Sequence, residues 1–415
     1  MLEGVDIIEP FNFIAGVLAL TALFGYINER FFKLPTAIAL MASSLIFSLL
    51  LIVLGKLGFP FVETARTLLH QFDFSTFLLH GVLSFLLFAG AVRADINDLL
   101  TQKHTVILLA TVGVVLSTII VGFLSQWLLN LLGFDTPLIY CLLFGALISP
   151  TDPVAVMSLL KSMKLPKNVH TKIMGEALFN DGMAVVLFLT LLGIAIGQAN
   201  PNTMTLSALL LREIGGGVLL GLVCGMLAYR LLKRVISAQV AIFITLALVS
   251  GSYALADSWH LSGPITVVVA GLLIGNLLKL SHQIRAPLDN FWELFDELLN
   301  ALLFILIGLE VLVMPFEWHY LTAGALLIPA VLAARYLSTG VLLRPFRSFT
   351  SNVVTLLTWG GLRGGISVAM ALSLPPSPQR DLIIAVTYIV VVFSVVVQGL
   401  TLGKVVRKAL TETSH

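Results

Sequence analysis

Runs of about 20 apolar residues recur along the whole chain, separated by short polar breaks. A helix of that length rises about 1.5 Å per residue and crosses the hydrocarbon layer of a bilayer. Only 11% of the 415 residues are charged, which is about half the usual share in soluble domains. The pattern predicts an all-α polytopic membrane protein with about 13 transmembrane helices. The predicted spans cover residues 11–28, 35–55, 75–92, 105–131, 137–161, 169–197, 208–229, 238–256, 264–280, 294–313, 320–342, 351–373 and 382–403.

Charge and cysteine content exclude several other classes of protein. The net charge is +2 and no basic block is present, so we expect no nucleic-acid partner. Cys141 and Cys224 both lie in apolar runs, which predicts neither a disulfide framework nor a structural metal site. The first residues are acidic where a signal peptide would be basic, so no cleavable leader is expected. We expect membrane lipid as the surrounding medium and no cofactor.

The distribution of Lys and Arg predicts the orientation in the membrane. Of the 24 such residues, 18 fall in alternate loops and three in the opposite loops. Cytoplasmic loops carry the excess of positive charge. The C-terminus is therefore predicted to be cytoplasmic and, with an odd number of spans, the N-terminus outside. We expect the inner membrane of a bacterium.

Two predicted spans are interrupted. In span 5, the run from Ser149 to Pro153 has prolines three residues apart, which remove backbone donors and push the preceding residues out of helical geometry. In span 12, the run from Trp359 to Gly365 contains four glycines around Arg363, and each glycine costs about 1 kcal/mol in a helix. A mere kink is the alternative at either place, since Pro and Gly are common in membrane helices.

The positions of the two breaks predict an internal symmetry. Residues 10–200 would form one repeat of six spans and residues 238–405 an inverted second repeat, joined by a linker helix at 208–229. The broken spans are then fifth in each half. Broken helices at corresponding positions of inverted repeats point to a transporter's binding site. The whole chain, 1–415, would be one membrane transport unit.

Asp181 is the central candidate site residue, because few ionisable groups lie inside the spans and each is a functional candidate. It lies about 17 Å from the cytoplasmic end of span 6, near the midplane. One carboxylate takes either a small cation or a proton, which is the simplest basis for exchange. The alternative is a structural carboxylate paired with Arg363. Neutral oxygens of Thr151 and Asn180 are candidate further ligands.

The other buried charges have separate predicted roles. Glu176 and Arg335 lie at the same depth in spans 6 and 11, which predicts a buried structural ion pair. Asp152 and Arg363 lie in the two broken helices. There they would offset the half-helix dipoles, Asp152 at the positive ends and Arg363 at the negative ends.

Five segments in order resemble a known family: SPTDPVAV, GEALFNDG, HLSGPITVVVAGLLIGN, FWELFDELLNALLFILIGLE and WGGLRGGISVAMAL. They are similar to the monovalent cation/proton antiporters, in the NhaP-like branch that includes the eukaryotic sodium/proton exchangers. The resemblance implies a homodimer whose protomers each have a dimerisation domain and a mobile six-helix core domain. It implies exchange of one cation for one proton through Asn180 and Asp181.

The same resemblance implies that Thr151 and Asp152 join Asp181 in binding the transported Na⁺, and that Glu176 and Arg335 form the family's acid–arginine pair. The chain departs from some relatives at Ala177, where they carry a hydroxyl, and at residues 87–91, where they place an acid.

These patterns predict a secondary active antiporter that exchanges Na⁺, or Li⁺ or K⁺, for H⁺, with pH homeostasis as its use. The main alternative is a cation-coupled organic-solute transporter on the same architecture. A channel and an intramembrane aspartyl protease using Asp152 and Asp181 are further alternatives.

Overall fold

A computed structural model of the chain describes residues 8–59, 61–152, 167–197, 203–277, 282–314, 317–345 and 351–412. Every regular element in these residues is a helix. The helices are α1 (Ile8–Ile27), α2 (Thr36–Lys56), α3 (Phe61–Gln71), α4 (Phe74–Arg93), α5 (Ile96–Thr101), α6 (Lys103–Leu131), α7 (Leu138–Ile148), α8 (Lys167–Ala195), α9 (Thr203–Leu232), α10 (Ala238–Ser258), α11 (Gly263–Leu277), α12 (His282–Glu310), α13 (Trp318–Leu343), α14 (Ser351–Trp359), α15 (Gly365–Leu372), α16 (Pro378–Phe393) and α17 (Gly399–Glu412).

Nine stretches of helix in the described residues are long and apolar enough to cross a membrane, which confirms a polytopic membrane protein. They lie in α1, α2, α4, α6, α8, α9, α10, α13 and the continuous stretch of α16 and α17. The predicted spans 5 and 9 correspond to the shorter apolar helices α7 and α11. The total of thirteen spans stays a prediction.

Both predicted breaks are present. The first broken helix, α7, ends at Ile148, and residues 149–152 that follow are not helical. The second half of predicted span 5, including Pro153, lies outside the described residues. The second break separates α14, which ends at Trp359, from α15, which begins at Gly365. The prolines and the glycines therefore end helices here rather than kink them.

One helix begins well before its predicted start. Predicted span 10 begins at residue 294, but α12 begins at His282. The first half of α12 carries charged residues four apart (Arg285, Asp289 and Glu293) on its more exposed side. Its opposite side buries apolar residues, so this half is amphipathic. Because polar and apolar residues alternate along it, its sequence does not stand out as an apolar run.

The helices pack as two bundles. In the first bundle α9 packs on α11, α11 on α4, and α2 on α12, with α1 and α10 at its side. In the second bundle α6 packs on α7, α7 on α8, and α13 on α16, with α14, α15 and α17 completing it. The bundles meet mainly where α8 faces α11 and where α15 faces α4 and α12.

Glycines of α9 allow a close contact with α11 in the first bundle. A Cβ atom at Gly217 would lie 2.8 Å from the carbonyl oxygen of Ser262, and one at Gly221 would lie 2.5 Å from that of Thr266. Small residues four apart let membrane helices approach in this way. The sequence run at Gly215–Gly217 is thus a packing feature of α9, although Gly215 itself has open space beside it.

Candidate ion-binding site

A cavity of about 310 Å³ lies between the two bundles. Its first wall is built by α4 and α12, and its second wall by residues 150–152, by α8 and by the start of α15. A space of this size holds several water molecules. Asp152 and Asp181 both line the cavity, so two acidic residues of the second bundle face a space that water or an ion can occupy.

The two unwound segments of the second bundle are hydrogen-bonded to each other. The backbone N–H of Asp152 donates to the carbonyl oxygen of Leu362 over 2.7 Å. A Cβ atom at Gly364 would lie 2.4 Å from Oδ2 of Asp152, a distance that no side chain tolerates. Glycine at 364 therefore lets the second unwound segment pass directly over the Asp152 side chain.

The predicted ligands from spans 5 and 6 lie together at this crossing. Asn180 donates from Nδ2 to Oγ1 of Thr151 over 2.9 Å. That orientation leaves Oδ1 of Asn180 buried with no hydrogen-bond partner among the described residues. Asp181 follows directly and is 3% exposed. Carboxylate and amide oxygens are the ligands that hard cations prefer.

Arg363 is directed at the end of the first broken helix. Its Nη1 donates to the carbonyl oxygen of Ser149, and to that of Pro150 over 2.9 Å. These carbonyls follow α7, where the helix dipole is negative. A positive guanidinium at this negative helix end has the sign that charge compensation requires. The structure thus places this guanidinium on backbone carbonyls, whereas one alternative above paired it with Asp181.

A π turn supports the second break. The turn Ser394–Gln398 joins α16 to α17. At its start, Oγ of Ser394 accepts a hydrogen bond of 2.8 Å from the backbone N–H of Arg363. At its end, Nε2 of Gln398 donates to the carbonyl oxygen of Trp359 over 3.3 Å. Both hydrogen bonds satisfy backbone groups that the break in the helix leaves open.

Glu176 and Arg335 form an ion pair between Oε1 and Nη2. Their side chains are 2% and 5% exposed. A Cβ atom at Gly361 would lie 3.2 Å from Nε of Arg335, so the pair lies directly behind the second unwound segment. The pair connects α8 to α13.

A third acidic residue in the cavity was missed by the sequence reasoning. Asp296 of α12 is 6% exposed, forms an ion pair with Arg93 of α4, and accepts a hydrogen bond of 3.0 Å from Nδ2 of Asn300. All three residues line the first wall. The predicted span starts at residue 294, which places Asp296 at its end, where an acidic residue is not a candidate.

A signal for the true start of α12 was available in the sequence. Apolar residues recur at positions 284, 288, 292, 295 and 299, which is the spacing of one helix face. In the structure the first three, Ile284, Leu288 and Trp292, are buried. Extending the helix along this face would have placed Asp296 well inside it.

The family model and the similar sequences of known proteins agree with one another. The sequence model of the family described as "Sodium/hydrogen exchanger, transmembrane" matches residues 18–408. The chain is 47% identical over 409 residues to the Na⁺/H⁺ antiporter NhaP of Pseudomonas aeruginosa, covering 96% of each chain. It is 34% identical over 392 residues to the Na⁺/H⁺ antiporter NhaH of Halobacillus dabanensis, covering 91% of this chain and 93% of the relative.

The fold also has a solved counterpart. The structure of the sodium proton antiporter MjNhaP1 from Methanocaldococcus jannaschii superposes with a TM-score of 0.77 at 21% identity, covering 97% of this chain and 99% of that one. At that identity the match establishes the fold alone.

Proposed function

The chain belongs to the transmembrane sodium/hydrogen exchanger family, and from this premise we propose that it exchanges Na⁺ for H⁺ at Asp181. Membership of a transporter family sets aside the intramembrane protease alternative, so Asp152 and Asp181 are not a proteolytic pair. We expect the exchange to need no cofactor beyond the transported ions.

The carboxylate of Asp181 is the observation that carries the proposal. It is buried near the middle of α8, yet it lines a cavity wide enough for water. A cation and a proton exclude each other at one carboxylate. Asp152, Thr151 and Asn180 lie around it and supply further oxygens to the cation.

Alternating access would couple the two ions. The second bundle carries Asp152 and Asp181, and the first bundle supplies the opposite wall of the cavity. Movement of one bundle against the other would expose the site to each face of the membrane in turn. A bare carboxylate is costly to move through apolar surroundings, so the empty ionised site should move slowly and uncoupled leak should be small.

Exchange of one cation for one proton would move no net charge. The driving force of an electroneutral cycle does not depend on the membrane potential. A potential set by K⁺ and valinomycin across proteoliposomes without a Na⁺ or pH gradient tests this, and H⁺ movement driven by that potential alone would contradict 1:1 exchange. Repeating the assay with Li⁺ and K⁺ establishes which cations the site accepts.

The central experiment is exchange by purified protein in proteoliposomes that contain a pH-sensitive dye. A Na⁺ gradient should drive H⁺ movement with the wild-type chain, and Asp181→Asn should abolish it. Asp257→Asn, which changes an exposed acid at the end of α10, is the matched control and should retain exchange. Wild-type exchange rates in Asp181→Asn would refute the assignment, provided that both variants elute as monodisperse protein.

We propose the same topology and assembly that the sequence predicts. The N-terminus would lie outside and the C-terminus in the cytoplasm of a bacterial inner membrane, with inverted repeats at 10–200 and 238–405 around a linker at 208–229. The two broken helices support this symmetry. The surfaces of α1, α9 and α10 are mostly open within one chain, which leaves room for a homodimer. Cross-linking in membranes and mass measurement in detergent test the dimer.

A further inference from the structure

Ser367 is a buried residue in the wall of the cavity that the two acidic residues also line. Ser367 lies in the first turn of α15, three residues after Gly364, and is 1% exposed. It lines the cavity together with Asp152 and Asp181. Its Oγ has no hydrogen-bond partner among the described residues. A buried hydroxyl in this condition is uncommon, because most buried polar atoms in proteins are paired.

The location of Ser367 distinguishes it from other buried hydroxyls without partners. Thr339, Thr387 and Tyr388 also carry such a hydroxyl in the described part of the chain, but they do not line the cavity. Ser373, at the end of the same short helix, donates its hydroxyl to the carbonyl oxygen of Met370 over 2.7 Å. Only the hydroxyl of Ser367, among these five residues, combines burial, a missing partner and a place on the cavity wall.

The backbone near Ser367 brings it to the ion site. Gly364, the N-cap residue of α15, lies against Oδ2 of Asp152, and the N-cap residue and the third helical residue are neighbours at the start of a helix. Ser367 therefore lies one helical turn from the point where the two broken helices cross. A hydroxyl oxygen is a neutral, hard ligand that adds no charge to a site already holding two carboxylates.

We propose that Oγ of Ser367 is a ligand of the transported cation, contributed by the second broken helix. This inference rests on the proposed exchange at Asp181. The cation would then be held by oxygens from both interrupted helices and from α8, and not by residues 151, 152, 180 and 181 alone.

The substitution Ser367→Ala tests the ligand. The apparent KM for Na⁺ in proteoliposome exchange should rise about tenfold, with kcat changed less than about twofold, since an interaction with the bound ion is lost. Ser367→Thr keeps the hydroxyl and should stay near wild type. Ser373→Ala removes a hydroxyl from the same helix away from the cavity, and its KM should not change.

A binding measurement separates this inference from the function it rests on. NaCl, compared with choline chloride, should raise the melting temperature of the wild-type protein, and Ser367→Ala should lose most of that rise. Ser367→Cys places a soft ligand at the same position, so the ratio of Tl⁺ to Na⁺ affinity should increase. Ser367→Cys also tests the ligand role if Ser367→Ala does not fold.

The possible outcomes are distinct. An unchanged KM and an unchanged Na⁺-dependent melting shift in Ser367→Ala overturn the ligand role, even if wild-type exchange is robust. If the wild-type protein binds Na⁺ but does not exchange it, the proposed function fails. The Ser367 inference then stands or falls by the melting shift and the Tl⁺ ratio.

Discussion

Glu176 and Arg335 pair at a depth where neither side chain reaches the surface. Removing two charges from water is costly, and mutual attraction offsets that cost only while both partners are present. Removing one partner therefore destabilises the fold by more than the intact pair stabilises it. The pair connects α8, which carries Asp181, to α13. Its loss should therefore lower the stability of the protein more than it changes ion binding.

We expect Arg335→Ala to lower the stability of the protein by about 3–5 kcal/mol, because Glu176 would stay buried without its partner. Thermal unfolding in detergent, read by tryptophan fluorescence and by yield, measures the effect. The double variant that also carries Glu176→Ala should lose less than the sum of the single losses.

The exposed pair Arg285–Asp289 provides the control for this prediction. These side chains are 31% and 38% exposed, and such surface pairs contribute about 0–1 kcal/mol. Arg285 also donates to the carbonyl oxygen of Gly275, so the control variant is Asp289→Ala, which should unfold close to the wild-type temperature. Equal losses in Asp289→Ala and Arg335→Ala would contradict the argument from burial.

At the residue scale, the sequence predicted the contact that depends only on how far each residue lies from the end of its span. Glu176 and Arg335 lie equally far from their span ends, which was enough to pair them. Asp296 was missed because its depth depended on a helix start that the apolar run misplaced. Ser367 was missed because a serine in an apolar helix usually bonds to its own backbone, and only the packed structure places its hydroxyl beside a cavity.

At the scale of elements, Gly364 is the tightest point of the crossing. Gly364→Ala would place a methyl group at 2.4 Å from Oδ2 of Asp152. Backbone or carboxylate must shift, and the ion site shifts with it. We expect exchange to fall at least about tenfold, because misplacing reacting groups by about 1 Å costs roughly two orders of magnitude in enzymes. The measurement is proteoliposome exchange at saturating Na⁺.

Gly340→Ala is the matched control for the crossing. A Cβ atom at Gly340 in α13 would make ordinary contact, 3.7 Å from Cγ1 of Val354. Exchange by that variant should remain within about twofold of wild type. Full activity of Gly364→Ala would mean that the contact with Asp152 is looser than the structure places it.

The π turn between α16 and α17 leads to a further prediction. Ser394→Ala removes the acceptor of the Arg363 N–H and leaves a buried donor unpaired, which costs about 1–3 kcal/mol. The melting temperature should fall. Ser84→Ala is the control, since Ser84 is also buried but donates to Gly81 of its own helix. A larger loss in Ser84→Ala would count against a supporting role for the turn.

The breaks themselves could be predicted from local chemistry, whereas the elements that support them could not. Proline and glycine act on their own backbone, so the ends of α7 and α14 follow from residues 149–153 and 359–365. The π turn at Ser394–Gln398 has no such local signature, because its apolar sequence continues a helix pattern. Its position is set by hydrogen bonds to residues 359 and 363, far away in the chain.

At the scale of the whole molecule, the proposed exchange predicts competition between two ions for one site. Where protons compete at Asp181, each unit decrease in pH below the pKa of the site should raise the apparent KM for Na⁺ about tenfold. The rate at saturating Na⁺ should change much less. Above that pKa, the KM should become independent of pH.

Initial exchange rates over a grid of pH and Na⁺ concentration measure this competition. Asp296→Asn is the control, because Asp296 lies on the opposite wall and is paired with Arg93. Its competition slope should match wild type even if its rate differs. A KM that stays constant with pH while kcat varies would point to separate sites for the two ions.

The fold class and its two interruptions followed from apolar runs and helix breakers, but the division into two bundles did not. Which helix neighbours which is decided by contacts between distant segments, such as the glycines of α9 against the start of α11. The cavity exists only between the bundles, so its first wall, with Arg93, Asp296 and Asn300, could not be predicted from any single segment.

The hydrogen bond from the Asp152 N–H to the Leu362 carbonyl constrains any conformational cycle of the protein. It joins the two unwound backbone segments, which come from opposite halves of the chain, and together with the contact of Gly364 on Asp152 it favours their movement as one unit. The proposed ligand oxygens would then move together as one preformed site. The intrinsic affinity for Na⁺ should consequently be similar at both membrane faces, so that the apparent KM for Na⁺ should differ little between the two directions of exchange.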